Sequence, residues 1–401
     1  MIAVMLAQTI ALTGGTVYPV SGPKIEHATV VIQNGKITAV GADVTIPGDA
    51  TRIDVSGKWV TPGLIDGLSN LGLSEIDAVD GTNEGSTGKD IASSFNVSEG
   101  LNPASTLIPI ARIEGVTSAL ASPGGGLIGG QAVLIDLDGG TIEQMIDRSP
   151  AAMVMDLSEG AKHTGNGSRA GVSARLRQVF NDALEYSRRK ADYNRAQMEA
   201  LSAPAADLEA LLPVLRGEVP VLVNVNRKSD ILTALRVAKE YKLKMILAGA
   251  SEGWEVASEI AAAGAPVLVA PMDNLPSYDG LGIRFGNASM LAKAGVKVGF
   301  YFSDSHNARD IRQQAGTAVS FGMTWDQALR AITLTPAEIF GVGEKYGSLD
   351  AGKVANVVVW SGDPFEFSTA VEHVYIRGHE IPLTSRQKEL FERYKTVPPS
   401  Y

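Results

Sequence analysis

Between Val219 and Ser303 the chain alternates short apolar runs with amphipathic segments, and this pattern limits its fold more than any other feature. The order is "VPVLVNVN", "SDILTALRVAKEYK", "KMILAG", "EGWEVASEIAAAG", "APVLVAP", "NASMLAKAG" and "VKVGFYFS". Apolar runs of strand length separated by helical periodicity are the mark of a parallel sheet built from β/α units. The helical segments open near Ser, Asp, Glu or Asn, and two close on Ala-Gly, as helix caps require. Upstream, "GVTSALASP" and "AAMVMDLS" read as further strands, and the charged stretch 169–202 reads as a long surface helix. No glycine-rich dinucleotide fingerprint follows an early strand, and "GGGLIGG" (Gly124 to Gly130) lacks the Lys-Ser/Thr of a phosphate loop, so it is taken as a βα loop. The pattern predicts an α/β fold, a (β/α)8 TIM barrel, in preference to an open sheet.

The two ends of the chain differ from the middle. Residues 11–60 and 347–381 both hold short β-branched runs broken by Gly, Asn and Pro turns. Neither has enough strands to bury a core, which predicts that they pair into one composite β-sandwich. The expected division is 1–60 for the N-terminal part of the sandwich, 61–345 for the barrel, 346–385 for the C-terminal part and 386–401 for a terminal helix or tail.

A length of 401 residues accommodates both units. A formal net charge of −9 with no long basic run argues against nucleic acid or an anionic membrane as partner. Cysteine is absent, which removes disulfides, thiolate nucleophiles and cysteine metal sites. That absence fits an oxidising compartment without requiring one. The opening "MIAVMLAQ" is apolar but has no basic n-region, an incomplete signal-like start. Periplasmic or secreted localisation is the expectation, with the cytoplasm as the alternative. No apolar run reaches the ~20 residues of a membrane span.

Four motifs, "GKWVTPGLID", "ARIEGVTSALASPGGGLIGGQ", "RAITLTPAEIFGV" and "GSLDAGKVANVVVWSGDP", together resemble the amidohydrolase superfamily, in particular its imidazolonepropionase-like branch. The resemblance spans nearly the whole chain and implies a composite sandwich around a metal-dependent-hydrolase-like barrel. It also implies a ligand set at the C-terminal ends of the strands: H-x-H after strand 1, a carboxylated Lys or Glu after strand 4, a His after each of strands 5 and 6, and an Asp after strand 8. Such a centre brings a bound water to near-neutral pKa, and the Asp takes its proton.

This chain matches that set only in its acids. The strand 1 positions hold Leu68 and Asn70; strand 5 ends in Asn224, Val225, Asn226 and Arg227; strand 6 offers Gly249 in "AGASE". Glu159 fits the strand 4 carboxylate and Asp304 the strand 8 aspartate. Leucine has no lone pair, glycine has only backbone, and amide oxygens suit hard ions better than zinc. No transition metal is expected, although a weakly held divalent cation stays open.

Of the five histidines, His27, His373 and His379 fall in the β-domain, and His163 and His306 fall on rim loops. Glu159, Asp304 and His306 form the best surviving constellation, with Asn224, Asn226 and Arg227 completing the candidate pocket. Asp304 is the candidate catalytic acid or base, or else the partner of Arg227 or Lys162 in a structural ion pair. The stretch Ser303 to His306 also offers a serine, an acid and an imidazole, although sequence neighbours seldom converge as a triad.

Three functions remain open. One is a pseudoenzyme whose barrel binds a small molecule or a related amidohydrolase subunit. Another is a hydrolase of carbon–nitrogen bonds, non-peptide or dipeptide-like, using a degenerate single-ion site. The third is a structural role in which helix 169–202 makes an oligomer contact.

Overall fold

The computed structural model describes residues 9–76, 78–302, 304 and 306–396. The opening segment 1–8, Ser303 of the proposed triad and the end of the tail lie outside them. Strands β1 (Ile10–Val17), β2 (Ile25–Gln33), β3 (Lys36–Gly41), β4 (Thr51–Asp54) and β5 (Trp59–Pro62) come first. Next are β6 (Leu64–Ser69), β7 (Val116–Ala121), β8 (Ile128–Asp136), β9 (Ile146–Asp156), β10 (Val221–Val225), β11 (Met245–Gly249), β12 (Val267–Val269) and β13 (Val298–Phe300). The chain closes with β14 (Val357–Trp360), β15 (Val371–Ile376) and β16 (His379–Glu380).

The two ends do share one sheet, in the order β16-β15-β14-β5-β1-β2-β3 with β4 paired to β1. The joint is β14 against β5, antiparallel, with Val359 opposite Val60. Leu12, Val30, Val60 and Val357 are buried together on one side of it, apolar surface that neither terminal segment could cover alone.

The second sheet is a nearly closed eight-stranded barrel in chain order, β6 to β13. Among the described residues no ladder joins β13 back to β6. Ile65 N instead donates to Ile332 O at 2.8 Å, and Phe302 N donates to Asp66 Oδ1 at 3.0 Å. Inward-facing Ile65, Leu120, Val154, Leu222, Ile246 and Leu268 fill the interior, as alternation along the strands requires. Leu268 fits because Gly67 and Gly299 face it: a Cβ on either would stand within 3.0 Å of its methyl carbon.

One strand departs from the (β/α)8 expectation. β8 runs antiparallel to both β7 and β9, so the glycine-rich stretch is a hairpin connection and not a βα loop. The glycines are there for contact. A Cβ on Gly126 would lie 2.3 Å from Lys89 O, and one on Gly130 2.5 Å from Phe95 O, because loop 89–95 presses its backbone against them.

Helix α1 (Arg169–Arg188) is shorter than the predicted 169–202. It ends where Arg189 leaves helical geometry, a short helix takes residues 190–194, and the chain then runs to Pro204. Its Val172, Leu176, Val179, Phe180 and Ala183 are buried, so its apolar side is already covered. Helices α2 (Lys228–Tyr241), α3 (Asn287–Lys293) and α4 (Ile311–Ser320) follow their strands, and α5 (Arg386–Tyr394) forms the tail. No helix among the described residues is long and apolar enough to cross a membrane.

Candidate functional site

Among the described residues, two of the small cavities lie at the carboxyl ends of the barrel strands. One, about 360 Å³, is lined by Leu68, Asn70, Ser122 and Asn224 with Gly124 and Gly125. The other, about 210 Å³, lies over β11–β13 and is lined by Asn226, Gly249, Asp273, Arg284, Asn287 and Tyr301. The residues expected to form one ligand set are therefore distributed. Leu68, Asn70 and Asn224 face the first cavity, Asn226 and Gly249 the second, and Glu159, Arg227, Asp304 and His306 line neither.

Each of these has a local reason for its position. Leu68 packs its side chain on the hydrophobic interior of the barrel. Gly249 ends β11 with φ +83°, and a Cβ there would stand 2.4 Å from Asn226 Oδ1. Ala250, next to it, also has a positive φ of 44°, a strained turn held by its N–H on Val225 O at 2.6 Å. Glu159 is engaged on both oxygens: Lys162 Nζ donates to one at 2.9 Å and Arg169 Nη2 to the other at 2.8 Å. Lys162 first, with Arg169 adding to it, holds the Glu159 carboxyl below the usual range.

Asp304 pairs with neither Arg227 nor Lys162. Its oxygens accept from His306 N and from Asn307 Nδ2, each at 2.8 Å, which closes a turn within its own loop. Lys162 is taken by Glu159, and the Arg227 guanidinium lies 5.8 Å from the centre of the Tyr278 ring. His163 is exposed, with Nδ1 2.8 Å from Gly160 O and Nε2 3.4 Å from Asp90. His373 sits 2.7 Å from Glu380 on the neighbouring strand of the terminal sheet.

The structure adds charged groups that the motif comparison passed over. Arg169, the first residue of α1, donates to Asp230 Oδ2 at 2.7 Å and to Asp279 Oδ1 at 2.6 Å, besides Glu159. Asp279 Oδ2 accepts from Glu159 N at 3.1 Å and Asn226 Nδ2 at 3.3 Å. The loop after β12 is thereby tied to the loops after β9 and β10. Asp156, the last residue of β9, is in phase with inward-facing Val154 and pairs in register with Asn224. Burial, and to a smaller extent the charge of Asp279, pushes its carboxyl up even though Ser158 donates to it.

Arg169 is positioned by Ser168, whose hydroxyl caps α1 by accepting from Gly171 N at 3.1 Å. Ser168→Ala is expected to cost about 1 kcal/mol and to loosen the Arg169 network. Thermal unfolding checks the cost, and an unchanged melting temperature would remove the cap from the account.

The chain is similar to several known proteins. Residues 284–381 match the family model described as "Amidohydrolase family". The amidohydrolase tasK of Hapsidospora irregularis is 27% identical over 387 residues, covering 87% of this chain but 39% of that protein. The chain thus spans about two-fifths of that relative's length. An imidazolonepropionase of Pseudomonas paraeruginosa is 24% identical over 397 residues, 89% of this chain and 92% of that one. Among solved structures, an amidohydrolase of Thermotoga maritima superposes with a TM-score of 0.85 at 28% identity, covering 94% of this chain and 100% of the other.

Proposed function

Since the chain belongs to the amidohydrolase superfamily, we propose that it is a member that has given up metal-dependent hydrolysis and uses the barrel mouth to bind a small molecule. The observation that carries this reading is the state of the six positions where the superfamily's ligands would stand. Leu68 packs against the apolar interior, Gly249 sits at φ +83° where a side chain would be strained, and the three asparagines are divided between two cavities. The carboxylate at Glu159 is already neutralised by Lys162 and Arg169. Among the described residues no three His, Asp or Glu side chains stand close enough to hold a metal ion. The donor set present does not fit a zinc-like centre, which needs nitrogen or sulfur ligands in tetrahedral array.

A second reading is favoured by one group. Asp156 is a shielded carboxyl at the end of β9 with its titration shifted upward, the state a general acid or base requires. It would serve a hydrolase of carbon–nitrogen bonds working with a single hard cation.

Metal analysis separates the two. The protein is expressed in medium supplemented with zinc, manganese and magnesium, then assayed for bound metal and for turnover of acyl-amino acids and dipeptides. Far less than one equivalent of metal and no turnover are expected. Stoichiometric zinc or manganese together with amide hydrolysis would overturn the proposal.

A further inference from the structure

The polar groups of the 210 Å³ cavity fall into two sets. The floor is satisfied internally. Asn226 Oδ1 accepts from Ser251 Oγ at 2.9 Å and its amide donates to Asp279. Asn287 Nδ2 donates to Ala250 O at 3.0 Å, and its Oδ1 accepts from Trp254 N at 2.9 Å.

The walls carry groups without a partner in the chain, two of which, Asp273 and Arg284, are open to solvent. Among the described residues the Asp273 carboxylate, the Tyr301 hydroxyl and the Arg284 guanidinium take part in no hydrogen bond or ion pair within the chain. The Arg284 guanidinium lies over the Trp254 ring, 4.6 Å from its centre, a cation–π contact that leaves its N–H groups available. Asp273 has no cation beside it, and partial burial alone pushes its carboxyl up. Burial, with the charges of Asp273 and Asp66, pushes the Tyr301 phenol up as well, so it stays a hydrogen-bond donor.

Two opposite charges thus line one small cavity without neutralising each other. A simple anion would pair with Arg284 but meet repulsion from Asp273. A simple cation would do the reverse, and a neutral ligand would leave both unpaired. Only a ligand carrying both charges answers both. The cavity is smaller than the roughly 300–1,000 Å³ typical of drug-sized ligands, and Val269, Pro271, Ile283 and Phe285 give it apolar walls. We infer that it binds a small zwitterion of the amino-acid type, with the ammonium at Asp273, the carboxylate at Arg284 and a further hydrogen bond from Tyr301. This rests on the reading of the barrel mouth as a binding cavity and names its ligand class.

The test is titration calorimetry on the full chain after chelator treatment. The probes are free alanine, valine and proline, each compared with its C-terminal amide, which lacks the carboxylate, and its N-acetyl derivative, which lacks the ammonium. At least one free amino acid should bind saturably, and both of its derivatives about tenfold or more weaker, the usual scale for a lost hydrogen bond to a charged group. In Asp273→Asn the free and N-acetyl forms should bind alike; in Arg284→Gln the free form and the amide should. Both residues are exposed at the rim, and circular dichroism verifies that the variants fold. Equal binding of free and N-acetyl forms by the unaltered protein, or no saturable binding by any free amino acid, overturns the inference. Stoichiometric zinc would instead overturn the metal-independent reading, so the two failures are distinguishable.

Discussion

Replacing Asp136 by alanine is expected to lower folding stability by about 3–5 kcal/mol, the usual cost of removing one partner from a buried ion pair. Asp136 is 1% exposed and ends β8. Because β8 runs antiparallel, its end lies at the opposite face of the barrel from the mouth. One carboxylate oxygen accepts from Ser118 Oγ at 2.7 Å and Asn356 Nδ2 at 2.9 Å. The other accepts from the Tyr346 hydroxyl at 2.8 Å and Arg377 Nε at 2.6 Å. Burial first, and the charge of Asp136 next, push the Tyr346 phenol far up, so it remains a donor. Asn356 leads into β14 and Arg377 follows β15, so this one acid fastens the barrel to the terminal sheet. Alanine would leave three buried donors and the partly exposed Arg377 facing a void, and asparagine would restore shape without charge. Urea unfolding followed by tryptophan fluorescence measures both variants. A loss below about 1 kcal/mol in Asp136→Ala would mean the network is dispensable.

The composite sheet and the barrel were legible because both rest on periodicity. The runs at 221–225, 245–249 and 267–269 had to be strands, since each is apolar and flanked by cappable helices. The terminal β-runs had to meet because neither could bury a face alone. The antiparallel β8 was not legible: a glycine-rich link between two apolar runs reads equally as a βα loop or a hairpin. What distinguishes them is the pressure of loop 89–95 against Gly126 and Gly130, a contact distant in sequence. The end of α1 at Arg188 was hidden by a charged run that keeps helical character well beyond the point where the chain turns.

For the mouth, motif spacing located positions and missed their partners. It brought out Glu159 but not Asp156, although the alternation Ala152, Val154, Asp156 already puts that acid on the inward face. Tyr301 had the same signal, two residues after inward-facing Gly299. Asp273, Asp279 and Arg284 had none, since all three lie in the long connection between β12 and α3 and have no period to read. Asp304 was matched to a catalytic position through the family resemblance, which gave no sign of the hydrogen bonds it accepts within its own loop from His306 N and Asn307 Nδ2.

Asp66→Asn is expected to stabilise the protein at neutral pH by about 1–3 kcal/mol, the scale of one buried polar group left without a partner. The Asp66 side chain spans the seam where β13 and β6 fail to pair, its Oδ1 accepting from Phe302 N at 3.0 Å and Leu68 N at 3.2 Å. Its Oδ2 is buried without a partner. Burial raises its titration well above the ordinary 3.8, and the two backbone donors only partly offset this. Folding must therefore protonate a carboxyl that the unfolded chain would ionise, so the folded state holds the extra proton between the two values. Stability from this group is complete below the ordinary value and declines as pH rises from there to the raised folded value. Asparagine keeps the accepting oxygen and never ionises. Its NH₂ stands where the protonated acid would hold its own unbonded O–H, and its second N–H adds one unbonded donor whose cost is the same at every pH. The variant's advantage should be absent in acid and grow toward neutral pH. Paired denaturation curves across that range measure it, and a difference that stays constant with pH would mean that Asp66 is ionised across the seam.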